Sequence, residues 1–234
     1  MKKYILIILT LFFGFKGFAQ KAPPNMPHFD NIPFHFGITL GVSSLSSNLS
    51  GATELPLYDS IYGFSSVRNA GVQFGVITDL KLFETLHLRF IPTLVLSDRG
   101  FEYNVVRHGE LKDLNNSLEV IYLEAPLELK FMSKRYGNFR SYLLGGFKYA
   151  YDFGSMKRKK LRPDEYLMKV EQHEYFYTLG LGFDFYLYRC KISLELKSSF
   201  GINDVLNHGF KNAYTDCLDK IKTQLFYINI NFEA

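Results

Sequence analysis

The chain of 234 residues has room for one large domain, and its 23 Phe and 16 Tyr without a single Trp suit either a soluble β core or the aromatic girdles of a membrane barrel. Once Lys2, Lys3 and Lys16 leave with the N-terminal segment, 24 basic residues face 23 acidic ones, so the charge balance gives no reason to expect a nucleic-acid partner. Beyond that segment no stretch offers the roughly 18 consecutive apolar residues of a membrane helix, which leaves a closed barrel as the one way this chain spans a bilayer.

Lys2 and Lys3, the apolar run Tyr4 to Phe15 and the small-residue site Gly17-Phe18-Ala19 read as a secretory signal peptide over residues 1–19, cut after Ala19. No Cys follows the cut, so no lipid anchor is expected there. Residues 20–33 form a lead-in arm on the periplasmic side: Lys21 to Pro33 holds four of the eight prolines, and proline removes the ladder donor. Residues 34–234 then alternate apolar and polar side chains in segment after segment, the period of a strand with two different faces.

Strand one, Phe34 to Ser43, sets Phe34, Phe36, Ile38, Leu40 and Val42 against His35, Gly37, Thr39 and Gly41. A loop over Leu45 to Ala70 leads into a hairpin, Gly71 to Gly100, turning near Phe83 to Thr85. A polar loop is predicted at Asn104 to Asn116, strand four at Ser117 to Phe131, a turn at Lys134 to Asn138, and strand five at Arg140 to Phe153. A charged loop, Ser155 to Gln172, precedes strand six at Glu174 to Tyr188, and a minimal turn at Tyr188 to Cys190 precedes strand seven. After a loop at Asn203 to Lys220, strand eight runs to the end. Eight strands result, with long connections after strands one, three, five and seven and short ones after two, four and six. Even strand number, alternating loop lengths and termini on one side are the pattern of an all-β, eight-stranded antiparallel transmembrane β-barrel with long extracellular loops and short periplasmic turns.

One face of these strands is nearly free of charge. The other carries Asp79, Lys81, Arg89, Glu124, Glu128, Lys130, Arg140, Lys148, Asp152, Asp184, Glu195 and Lys197, six acids and six bases. A soluble carrier barrel would line its cavity with the apolar face. Lipid outside and a charged lumen is the reading, and the twelve residues are predicted to form a salt-bridged network that plugs the barrel.

Catalytic signals are weak. The histidines are scattered without metal-ligand spacing, no G-x-S-x-G occurs, and no cofactor, metal or catalytic set is expected. Glu124 and Glu128 share a face, but Lys130 beside them points to a structural network. Lys157, Arg158, Lys159 and Lys160 offer a basic loop for lipopolysaccharide or a protein partner. Cys190 and Cys217 are expected at opposite barrel ends, hence unbonded.

Several blocks resemble a known family: FDNIPFHFGITLGV from Phe29 to Val42, GVQFGVITDLKLFETLHLRFIPTLVLSDRGFEY, IYLEAPLELKFMSKR with YGNFRSYLLGGFKYAYDF, SLELKSSFGINDVL, and DKIKTQLFYININFE. They are similar to the PorT family, also called SprT, an outer-membrane β-barrel component of the type IX secretion system. The resemblance implies residence in the outer membrane of a Gram-negative bacterium, contact with its lipid, partners among secretion-system proteins, no enzymatic activity and, in some relatives, gliding motility. The residues alone leave open a small structural or adhesive surface barrel and, with less support, a lipid-modifying barrel enzyme.

Overall fold

Hydrocarbon offers the backbone no hydrogen-bond partner, so spanning strands must pair on both edges and close. The computed structural model describes residues 24–51, 61–107, 110–154, 171–206 and 218–234, and these satisfy that demand. A 3₁₀ turn at Phe29–Asn31 precedes ten strand segments: β1 Phe34–Gly51, β2 Ile61–Val67, β3 Asn69–Lys81, β4 Leu86–Phe90, β5 Thr93–Arg107, β6 Glu110–Met132, β7 Phe139–Asp152, β8 His173–Tyr186, β9 Lys191–Gly201 and β10 Leu218–Glu233. All pairings are antiparallel, and β1 bonds to both β3 and β10, which closes the ring.

The ten segments make eight staves. β4 and β5 are one stave, since both keep a single register against β3 and against β6. The break falls at Ile91-Pro92 because Pro92 has no N–H to give the ladder. The carbonyl of Pro92 still accepts from the Val76 N–H at 3.1 Å. β2 and β3 form another stave, with a one-residue slip against β5 between the Val67–Gly100 and Val72–Leu96 pairs.

Side chains alternate around the whole ring. Outward positions are apolar and open, as at Phe147 (72 % exposed) and Phe36 (60 %), whereas inward ones such as Asp79 and Arg89 are fully covered (0 %). An apolar surface this continuous far exceeds what a soluble monomer presents to water, and it fits acyl chains. Aromatic pairs mark one rim, with Tyr149 5.5 Å from Tyr175 and Tyr177 5.1 Å from Phe200. At the other rim Phe83, Tyr136 and Tyr188 stand exposed on the short turns.

Two predicted loops are replaced by strand. β1 continues to Gly51 because its ladder with β10 runs on from Ser44–Phe226 to Gly51–Leu218, and β2 fills 61–67 of the stretch read as loop. The polar loop over 104–116 is a hairpin instead, with β5 and β6 paired as far as Arg107–Glu110. Beyond the membrane both faces meet water, so the apolar–polar contrast that reveals a strand in sequence disappears while the backbone ladder persists. Lys157, Arg158, Lys159, Lys160 and Cys217 lie outside the described residues, and Cys190 is a free thiol.

In a variant lacking both native cysteines, a cysteine at Glu84, in the β3–β4 turn, should react with an impermeant maleimide only after the outer membrane is permeabilised. One at Ser65 should react in intact cells. The reverse pattern would invert the topology.

Candidate functional site

The even spacing of inward side chains stacks the lumen in layers, and most charges find their counter-ions across the interior. Toward the extracellular side, Arg99 on β5 reaches Glu174 on β8 at 3.0 Å and donates to the Tyr122 hydroxyl at 2.6 Å and the Thr223 hydroxyl at 2.8 Å. Tyr122 and Thr223 in turn donate to Glu174. Below lies an apolar layer of Leu45, Val95, Val120, Ala150, Phe176 and Leu225.

At mid-lumen Lys148 donates to Glu124 and to the Tyr227 hydroxyl, both at 2.7 Å, and Tyr227 donates to the same Glu124 oxygen at 2.7 Å. Lys197 lies 3.2 Å from both Glu128 and Glu195. Glu195 also accepts from Arg89 and from the Tyr142 hydroxyl, each at 2.8 Å, and from Asn231 at 3.1 Å. Tyr142 needs Gly182 on the neighbouring stave: a Cβ there would come within 2.2 Å of its ring. A void of about 10 Å³ beside Thr39, Gln73, Glu124 and Lys197 has space for about one water.

Nearer the periplasm Lys130 pairs with Asp184 at 3.0 Å and Lys191 with Glu233 at 2.7 Å, while His87 Nδ1 lies 2.5 Å from Asp79. The arm closes this mouth. Phe29 is buried with its ring stacked on His35 at 4.1 Å and edge-on to Tyr186 at 6.0 Å, and Lys191 Nζ sits 4.8 Å from its centroid. Burial of one such ring contributes about 1.5–3 kcal/mol. Asp30 accepts from Arg135 at 3.2 Å and from Arg140 and Tyr186 at 3.1 Å, and its backbone carbonyl accepts from Lys81. Asn25 donates to the Asn138 side chain at 2.7 Å and to the Tyr186 carbonyl at 3.0 Å, so residues 25–30 are hydrogen-bonded to β1, β3, β7 and β8.

A lipid-facing exterior, a ring of eight staves and a charged, closed lumen coincide with a match of residues 18–207 to the family model described as outer membrane protein beta-barrel domain. The chain belongs to this family. No curated protein matches it in sequence. Among solved structures it is similar to the outer membrane protein OprG of Pseudomonas aeruginosa, with 16 % identity, 86 % of this chain and 94 % of that one covered, and a TM-score of 0.43. Neisserial surface protein A matches with 8 % identity over 84 % and 95 % of the two chains and a TM-score of 0.41. Ail, the attachment invasion locus protein of Yersinia pestis, matches in its complex with the heparin analogue sucrose octasulfate with 11 % identity over 87 % and 100 %, at a TM-score of 0.39.

Within this outer-membrane barrel, Asp79, Arg89, Glu124, Glu128, Lys130, Lys148, Asp152, Asp184, Glu195 and Lys197 point into the lumen and are buried. Asp152 accepts from the backbone N–H of Ile121 and of Gly154. Lys81 and Arg140 do not join the lumen pairs; both sit at the mouth and hold Asp30 of the arm. The interior is also less uniformly ionic than expected, because the apolar layer separates the Arg99 cluster from those below. Arg99, Glu174, Lys191 and Glu233 belong with the network although they were not singled out as members. On the inner face Arg99 and Glu174 meet across the lumen, where no sequence spacing points, while Lys191 faces Glu233 on the adjacent stave, in a register that only the folded ladder sets. The cluster His35, Asp79 and His87 escaped for a different reason: it stands on the neighbouring strands β1, β3 and β4, and the β1–β3 register that sets His35 against Asp79 leaves no local motif.

Truncating one member of a buried pair strands the other charge, at about 3–5 kcal/mol. Lys148→Met should lose about that much in reversible urea unfolding from lipid vesicles, and Lys148→Met with Glu124→Gln should recover part of it. Additive losses in the double variant would deny the coupling.

Proposed function

We propose that this outer-membrane barrel works without catalysis as a component of type IX secretion, supporting assembly or operation of the apparatus, with gliding motility as a downstream outcome in some relatives. The reading rests on the resemblance of the blocks quoted above to the PorT family. The observation of geometry that supports it is the arm: residues 25–30 are locked across the periplasmic mouth, so the lumen offers cargo no path and the barrel serves as a fixed platform. The periplasmic face around Arg135 and the turn Phe83 to Thr85 is then the surface for other secretion-system proteins, with lipid and lipopolysaccharide as the remaining partners.

A second reading, a small structural or adhesive surface barrel, draws on the β5–β6 hairpin. From Leu96 to Arg107 its ladder rises about 35 Å along the strand at about 3.3 Å per residue. Cell binding transferred by grafting this hairpin onto an inert barrel would favour that reading.

Deleting the gene should abolish release of cargo bearing a C-terminal sorting signal, with wild-type barrel restoring it and Arg135→Glu restoring it poorly at equal barrel abundance. Normal cargo release from the deletion strain would refute the secretion role.

A further inference from the structure

Three residues on neighbouring strands meet beneath the arm. His35 enters on β1, Asp79 on β3 and His87 on β4, all buried, and each offers one ligand atom within 4.8 Å of the others. The hydrogen bond of His35 prepares it for a cation. His35 Nε2 is 2.8 Å from the Phe29 carbonyl and must donate to it, which puts the proton on Nε2 and leaves Nδ1 with a bare lone pair. That Nδ1 is buried and has no hydrogen-bond partner among the described residues. A carbonyl on the far nitrogen is the usual outer support of a metal-bound histidine, fixing both tautomer and ring orientation. On the other side of the cluster His87 Nδ1 donates to Asp79 Oδ1 at 2.5 Å, so a cation takes this nitrogen by displacing its proton to Nε2 or to solvent, and Asp79 Oδ2 is buried with no hydrogen bond among the described residues.

Charge pairing points the same way. The cations around the cluster are already matched: Lys130 with Asp184, Lys191 with Glu233, and Arg89 with Glu195. Asp79 keeps only His87 and a longer approach from Arg89 Nε at 3.8 Å. Among the described residues its one fixed cation is the Arg89 guanidinium, at 3.8 Å and shared with Glu195, and a buried carboxylate so thinly matched is costly.

We propose that His35, Asp79 and His87 bind a divalent transition metal of the zinc class at the periplasmic mouth. Two imidazoles and one carboxylate are a zinc-type donor set, and calcium or magnesium would ask for oxygen ligands throughout. Donor atoms around a tetrahedral ion at ~2.1 Å lie ~3.4 Å apart, so side-chain shifts of about 1 Å bring the three into place, with water in the fourth position. The ion clamps β1 to the β3–β4 hairpin, and through the Phe29 carbonyl on His35 it stiffens the seat of the arm. The site stands whether or not the barrel serves secretion.

The test uses untagged full-length mature protein, refolded in detergent, stripped with chelator and checked for fold by heat-modifiable gel migration. Titration with Zn²⁺ against a chromophoric chelator should show one saturable site. His35→Gln should weaken it by more than about 100-fold, beyond the roughly 10–100-fold cost of losing an outer-shell partner. His173→Gln, at the opposite rim, should leave it unchanged. Should His35→Gln fail to fold, Co²⁺ added to the wild type decides: an intense visible band of four-coordinate cobalt supports the site. Absence of saturable Zn²⁺ binding, equal affinity in folded His35→Gln, or only the faint spectrum of octahedral cobalt would overturn it.

Discussion

An eight-stranded ring leaves an interior no wider than the side chains that fill it, so each charge placed there must find its counter-ion within hydrogen-bonding reach. The sequence alternates strictly, so the same period that turns Phe36, Phe147 and Leu179 to lipid forces Arg89, Lys130 and Glu174 inward. A one-residue slip would move every charge to the hydrocarbon face. The pairs Arg89–Glu195, Arg99–Glu174 and Lys130–Asp184 each join staves distant in sequence. Such pairs add little net stability over an apolar filling, yet each is satisfied in one register alone, and they therefore specify the closed ring more than they strengthen it.

The arm extends this logic to the periplasmic end. Asp30 supplies the carboxylate that Arg135 and Arg140 would otherwise lack, and Phe29 fills the space between His35, Tyr186 and Lys191. The barrel is consequently closed by the same two means throughout, ion pairing and aromatic packing. Among the described residues, the surfaces beyond the lipid-facing belt are the periplasmic turns with the arm and the hairpin on the opposite side.

The spanning part of this fold was legible in sequence because lipid and lumen impose opposite demands on neighbouring residues. The eight staves and ten of the twelve expected inward charges follow from that contrast, whereas Lys81 and Arg140, on the same face, end at the mouth on the arm. Where the contrast ends, legibility ends: Ser46, Ser47 and Asn48 continue β1 although nothing in their polarity distinguishes a strand from a loop. The arm's seating was invisible for another reason. Proline content marks residues 20–33 as irregular, but the partners of the Asp30 carboxylate sit more than a hundred residues away. His35, Asp79 and His87 likewise carry no local motif, since the ring closure between β1 and β3 is what assembles them.

A closed lumen held by matched charges is the claim on which the account depends, and ion conduction probes it most directly. The purified mature barrel, reconstituted into planar lipid bilayers at neutral pH, is predicted to give no steady conductance steps above the bare membrane. Stable steps of reproducible size from the folded protein would contradict a plugged interior.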